Sequence, residues 1–237
     1  ILERSIAKHV LVFGILYFFL NGGGSPPLYG ATLVSLSVAF IWFSFISIRK
    51  NGWNAIKRSM YTGIGMISIF FVLNAYWIVP QIGLYIGTYT QTFDEYGGIE
   101  GLISWENAIS RHSSILNLLR LQGIPDWYDN AHHAFANVFL SSPLLIIISI
   151  VPAVLTEISG IVMVLFWKKY KTHETSWFLL FLFLLFGIGL IFASGSHPPF
   201  GEGFVWAMRH IPGFAIFRSS FYKFAPLIWL PIIILSG

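Results

Sequence analysis

The run WFLLFLFLLFGIGLIFA, residues 177–193, decides the fold. It carries no charge and no alternation of apolar with polar side chains, so it does not fit a barrel strand, whose two faces differ. Its length approaches the roughly 20 residues a helix needs to cross a bilayer. Only a helix satisfies its own backbone hydrogen bonds there without a partner strand. Similar runs fall at about residues 6–20, 28–48, 60–82, 138–167 and from 224 onward. The sequence therefore predicts an all-α polytopic transmembrane bundle of about six spans, the first short and the last incomplete.

Composition agrees. Hydrophobic residues make up 56% of the 237, and only 10% are charged, against roughly a quarter charged in a soluble domain. Mean hydropathy is +0.73. Phe, Trp and Tyr are abundant, as expected where rings anchor at headgroup level. Cysteine is absent, which excludes disulfides, thiolate metal sites and thiol chemistry. The chain opens on Ile1, and the run Phe224–Leu235 stops after 12 residues, so the expectation is a single transmembrane domain, 1–237, cut from a larger protein at both ends.

The net charge of +4 does not point to nucleic acid, because the basic residues sit in short loops between apolar runs. Placing residues 1–5, 49–58 and 168–174 in the cytoplasm puts Arg4, Lys8, Arg49, Lys50, Lys57, Arg58, Lys168, Lys169 and Lys171 on or near that side, as the positive-inside bias asks. The polar segments 83–137 and 195–223 then face the extracytoplasmic side of what is expected to be a prokaryotic plasma membrane. Seven of the ten acids go with them: Asp94, Glu95, Glu100, Glu106, Asp126, Asp129 and Glu202.

Within the first of these segments, SWENAISRHSSILNLLRLQG (104–123) has Trp105, Ala108, Ile109, Ile115, Leu116 and Leu119 at helical spacing. The spacing predicts an interfacial helix capped by Ser104, with Arg111 and Arg120 reaching headgroups. The run 138–167 holds Pro143, Pro152 and Glu157. It is either a kinked span or a short interfacial piece followed by one. Glu157 is the one acid inside a run, where a buried polar contact and a functional carboxylate are both open.

The segment IPGFAIFRSSFYKFAPLIWLPIIILSG (211–237) sets Arg218 and Lys223 at the mouth of an apolar run. A helix start near Ser219 and Ser220 already has unpaired N–H groups and a partial positive charge, so a nearby lysine calls for an anion. A phosphate would take both the arginine fork and the ammonium; the alternative is that both side chains snorkel to ordinary headgroups. Upstream, SGSHPPFGEGFVWAMRHIPGF (194–214) contributes His197, Glu202, Arg209 and His210, a mixture able to orient a sugar or supply an acid or base. Asp94 with Glu95 could hold a divalent metal against a diphosphate, though an exposed pair is commonly just solvated. Adjacent His132 and His133 point about 100° apart on a helix and make no metal pair alone. The GIG at 63–65 follows no strand, which excludes a dinucleotide loop.

PGFAIFRSSFYKFAPLIWLP (212–231) resembles a P…FR…KF.P…LP signature in the membrane domain of bacterial α-(1→3)-arabinofuranosyltransferases and related GT-C glycosyltransferases. GSHPPFGEGF (195–204) is similar to the Gly/Pro loop that precedes it there, and NAYWIVPQIG (74–83) to an N.yW..P span end. The resemblance runs loosely from about residue 60 onward. It implies a transferase that takes sugar from a polyprenyl-phosphate donor and passes it to a glycan or lipid acceptor, with Arg218 and Lys223 on the donor phosphate and His197, Glu202 and Arg209 as further substrate contacts. The catalytic base implied by the family would lie in an earlier outer loop outside this chain. Two rivals are a transporter or flippase of lipid-linked saccharide, disfavoured by the lack of an internal repeat, and a non-catalytic scaffold for envelope assembly.

Overall fold

The computed structural model describes residues 8, 10–15, 26–52, 54–95, 97–128, 135–166 and 174–236. The described chain is helical, with no strand, as the continuous apolar runs require. His132, His133, Asp129 and the basic residues Arg4, Lys168, Lys169 and Lys171 lie outside the described residues.

Two compact units divide the chain, Ile1–Glu95 and Tyr96–Gly237. The first is built on α1 (Pro26–Asn51) and α2 (Asn54–Glu95). Phe70 is its buried centre, with Phe13, Leu36, Trp77 and Ile78 packed around it. Two glycines let side chains of other segments close on α2: the ring of Phe40 lies over Gly63, and Val10 lies against Gly65. Asn74 is buried. Its amide donates to the Phe70 carbonyl at 2.8 Å and its oxygen accepts from the Trp77 indole at 2.9 Å, so one asparagine satisfies both itself and the neighbouring tryptophan. α2 carries Pro80 internally and continues past the expected end of its run, to Glu95. Asp94 and Glu95 are exposed on its last turn.

The second unit comprises α3 (Gly98–Ile109), α4 (Ile115–Leu119), α5 (Ala136–Ser141), α6 (Pro143–Leu165), α7 (Glu174–Ala193), α8 (Gly201–His210) and α9 (Ser220–Ser236). Single 3-10 turns lie at Ser110–His112, Pro125–Tyr128 and Phe214–Phe217. α9 packs chiefly along α7 and secondarily on α6. Phe221, Phe224, Leu227, Ile228 and Ile232 of α9 and Phe181, Leu182, Leu185 and Phe186 of α7 are all buried. Gly189 makes this close approach possible, since a Cβ there would lie 2.9 Å from Leu227 Cβ. Gly160 does the same between α6 and α7, where the ring of Phe183 covers it. Small residues at such crossings are what lipid-embedded helices use to pack, because lipid supplies no hydrophobic drive between them.

Among the described residues, three helices are long and apolar enough to cross a membrane: Ser59–Pro80 within α2, α6, and Ser176–Ala193 within α7. α6 leaves Leu144, Ile147, Ile148, Val151, Ile161, Val164 and Leu165 exposed, an apolar surface that a water-soluble protein would not carry. The chain is thus an integral membrane protein by the length and exposure of these helices. The other three predicted runs do not qualify among the described residues; α9, at 17 residues, is apolar but shorter than a span. The run 138–167 is divided: α5 ends at extended Ser142, and α6 starts with Pro143 at its first turn, where a missing N–H costs nothing.

The expected interfacial helix at 104–123 is corrected. α3 begins at Gly98 after left-handed Gly97, so Ser104 is mid-helix and caps nothing, and the segment breaks at 110–112 before the short α4. Ser114 is a cap, accepting from Asn117 N at 3.3 Å. The buried face of α3 holds Leu102, Ile103 and Glu106, whereas Trp105, Ile115 and Leu116 are exposed. Arg120 is also turned inward. Its Nε donates to Ser149 Oγ at 2.9 Å and its Nη2 to the Phe139 carbonyl at 3.4 Å, so it links the α4 turn to α5 and α6 in place of reaching a headgroup.

Candidate functional site

α9 begins where an apolar helix meets the polar segments of its unit, and the site is built on that junction. Ser219 has φ 63°, a left-handed conformation that lets the chain turn sharply from the 3-10 turn Phe214–Phe217 into α9. The first N–H groups of a helix have no intrahelical acceptor. Here the acceptor is Glu106, reaching across from α3. Its Oε2 accepts from Ser219 N at 2.5 Å and Ser220 N at 3.4 Å, and its Oε1 accepts from Ser220 Oγ at 2.6 Å. The preceding residue, Trp105, donates its indole N–H to Ser219 Oγ at 2.9 Å.

Glu106 has no solvent exposure. Burial pushes its carboxyl above the ordinary glutamate range, and the bonds from Ser220 and Ser219, together with the charge of Lys223, only partly offset that. Gly195, at φ +55°, is shaped by the same cluster: a Cβ there would run into the Glu106 carboxyl and the Ser220 hydroxyl. Ser110 donates to the Glu106 carbonyl at 2.8 Å or shares a hydrogen with Ser196, whose hydroxyl oxygen is 2.6 Å away. Loop 194–199 is thereby stitched to the end of α3.

Lys223 lies within electrostatic reach of this carboxyl. Lys223 is buried, 8% exposed, and donates to the Ile216 carbonyl at 2.9 Å. Arg218 and Glu106 both lie close enough to act on it electrostatically. Arg218, half-buried, ends the 3-10 turn. The helix-end donors that sequence reasoning reserved for an incoming anion are therefore occupied by an acid of the chain itself, and anion chemistry at this junction rests on the two side chains.

His197, Glu202 and Arg209 are not gathered around them by any hydrogen bond among the described residues. Arg209 makes a two-pronged pair with Glu100, 2.9 and 3.0 Å, joining α8 to α3; both side chains are exposed, and the pairing holds the Glu100 carboxyl below its usual range. Glu202 is exposed on the first turn of α8. His197 Nδ1 lies 2.7 Å from the Pro198 carbonyl, and His210 Nδ1 lies 2.8 Å from that of Trp206. No group of three His, Asp or Glu able to hold a metal occurs among the described residues. Glu106 is the residue that sequence reasoning missed. The spacing Leu102, Ile103, Glu106, Ser110 marks one helical face, and an acid on that stripe is the signal that could have found it.

No protein family, curated protein or solved structure matches the chain.

Proposed function

We propose that this chain works within the membrane domain of a polytopic GT-C-type glycosyltransferase, crossing the membrane about six times and using a polyprenyl-phosphate-linked sugar on the extracytoplasmic face. What carries the proposal is that Arg218, at the end of the 3-10 turn, acts electrostatically on Lys223 in the first turn of the apolar α9. In such a transfer an acceptor hydroxyl attacks the anomeric carbon and the lipid phosphate departs with the bonding pair. Fixed cations lower the cost of the charge that develops on that phosphate. Lys223, held by the Ile216 carbonyl, is positioned before a ligand arrives. The apolar surface of α9 is suited to the polyprenyl tail. Glu106 is sealed and fully engaged, so the general base the reaction needs is another carboxylate.

The test is transfer from labelled polyprenyl-phosphate sugar by the intact protein in detergent. Covalent product without a second compartment supports a transferase; movement of intact donor across vesicles with no product supports a transporter instead. Arg218→Gln is expected to reduce product at least about tenfold, the loss of one transition-state charge contact, with insertion unchanged. Full transfer by both Arg218→Gln and Lys223→Met would sink the assignment of the site.

A further inference from the structure

We propose that Arg111, His112 and His197 form an anion site for a phosphate-type group at the polar end of the second unit, independent of the transferase assignment and of Arg218 and Lys223. The Ser110 and Ser196 hydroxyls, 2.6 Å apart, set the turn 110–112 beside the loop that carries His197. The His112 ring is stacked on Tyr128, with centroids 3.7 Å apart and planes within 10°. Its carbonyl is held by Asn117 Nδ2 at 2.8 Å. A carbonyl only accepts, so the His197 Nδ1–H donates to Pro198; Nε2 is the nitrogen left to face a ligand, and it meets an anion as a donor only when it too carries a hydrogen. Arg111 is exposed and both imidazoles are partly exposed, so a solute or a headgroup can reach all three.

Among the described residues, the charged neighbours on α3, after α4 and on the turn 125–128 are committed elsewhere, while Glu202, on the first turn of α8 after the His197 loop, is exposed. Glu106 on α3 caps α9, and Arg120 after α4 binds Ser149. Asp126, on the turn that carries Tyr128, accepts from Tyr222 at 3.3 Å. Burial raises the Tyr128 phenol above its usual range, so it stays neutral. Burial, then Arg111 and His197, hold His112 below the ordinary histidine value. The last two effects are repulsions between like charges, which a bound anion reverses. Binding an anion here therefore takes up a proton, and affinity rises as pH falls.

Calorimetric titration of the intact chain in zwitterionic detergent with sulfate, whose charge is constant over the range, tests this. Two buffers of different ionisation enthalpy report the proton. Expected is binding with net proton uptake, about tenfold or more tighter at about pH 6 than at about pH 8. The variants Arg111→Gln and His112→Phe, the second of which keeps the ring stack on Tyr128, should each weaken it at least about fivefold, while Lys57→Gln in the first unit should not. A parallel arm uses nanodiscs of phosphatidylcholine with and without phosphatidic acid and follows the His112 ring resonances. A response to phosphatidic acid alone assigns the anion to a lipid headgroup, and a response to sulfate assigns it to a soluble group; either supports the site. No response in both arms, or responses unchanged in both variants, would overturn it.

Discussion

The Ser220 hydroxyl donates to the Glu106 carboxyl at 2.6 Å, across 114 residues of sequence. With the Ser219 and Ser220 N–H groups on the other oxygen, this one side chain does for α9 what a serine or aspartate at the cap position ordinarily does for its own helix. The Ser220 hydroxyl that it accepts from also lies 3.4 Å from the Ala193 carbonyl at the end of α7. Three helices meet at the Ser220 hydroxyl.

Removing it should be costly for that reason. Glu106→Ala leaves two backbone donors without their acceptor and the Ser220 hydroxyl with only the Ala193 carbonyl, which is expected to lower stability by about 1–3 kcal/mol. Thermal unfolding in detergent, followed by circular dichroism, measures it. A melting temperature equal to the parent's would show that the α3–α9 contact carries no stability.

The same carboxyl should give the protein a distinctive pH response. Its pKa in the folded state lies above that of an ordinary glutamate, with burial the leading cause. The folded state then binds more protons than the unfolded state between the two values. The associated stability is full below the unfolded pKa and is lost as pH rises through the folded one. Glu100, held low by Arg209, runs in the opposite sense, so the comparison must be with a variant. The difference in stability between the parent and Glu106→Gln should shift against the parent as pH rises above the ordinary glutamate range. Parallel melting curves for the two proteins across about pH 4 to 8 would contradict the assignment.

Gly195 is the counterpart on the loop side. An alanine there meets two penalties at once: φ +55° is unfavourable for a residue with a Cβ, and that Cβ would displace the Glu106–Ser220 contact. Gly195→Ala should destabilise by more than about 1 kcal/mol. In the double variant with Glu106→Ala the loss should be less than additive, since the contact has already gone. Additive losses would separate the two residues.

What the sequence made legible was the part governed by one-dimensional pattern. Uninterrupted apolar runs such as 177–193 needed no tertiary information to be read as helices, because lipid permits little else. Pro143 marked the run 138–167 as either kinked or divided, since proline fits a first helical turn and disturbs an interior one, but the choice between the two was not legible. The junction at α9 was only half legible. Arg218, Lys223 and the helix start at Ser220 could be placed, but the partner of the helix end could not, because Glu106 lies far away in sequence on a helix whose buried face was misjudged. Large aromatic residues misled there: Trp105 is exposed with its indole bonded to Ser219, while the acid beside it is inside. Polar neighbours dictated the inward face of α3, and apolar spacing does not record them.

Gln122 offers a test in the opposite direction. Its side chain is 1% exposed, and neither the amide nitrogen nor its oxygen has a hydrogen-bond partner among the described residues. Its backbone is well held, with N donating to Asn117 O at 2.7 Å and O accepting from Tyr128 at 3.3 Å. Leu118, fully buried, and Phe221 close over the adjacent Gly123, so the surroundings on that side are apolar. Burying an amide without partners costs about 1–3 kcal/mol, and a side chain of similar volume with no polar atoms avoids that cost. Gln122→Met should therefore keep the backbone contacts and raise stability by about 1 kcal/mol or more, read as an upward shift of roughly 2–4 °C in melting temperature for a chain of this size. Gln122→Ala, which removes the amide but leaves a cavity, should gain less or lose. A fall in melting temperature for Gln122→Met would mean that the amide is satisfied in the membrane-embedded protein.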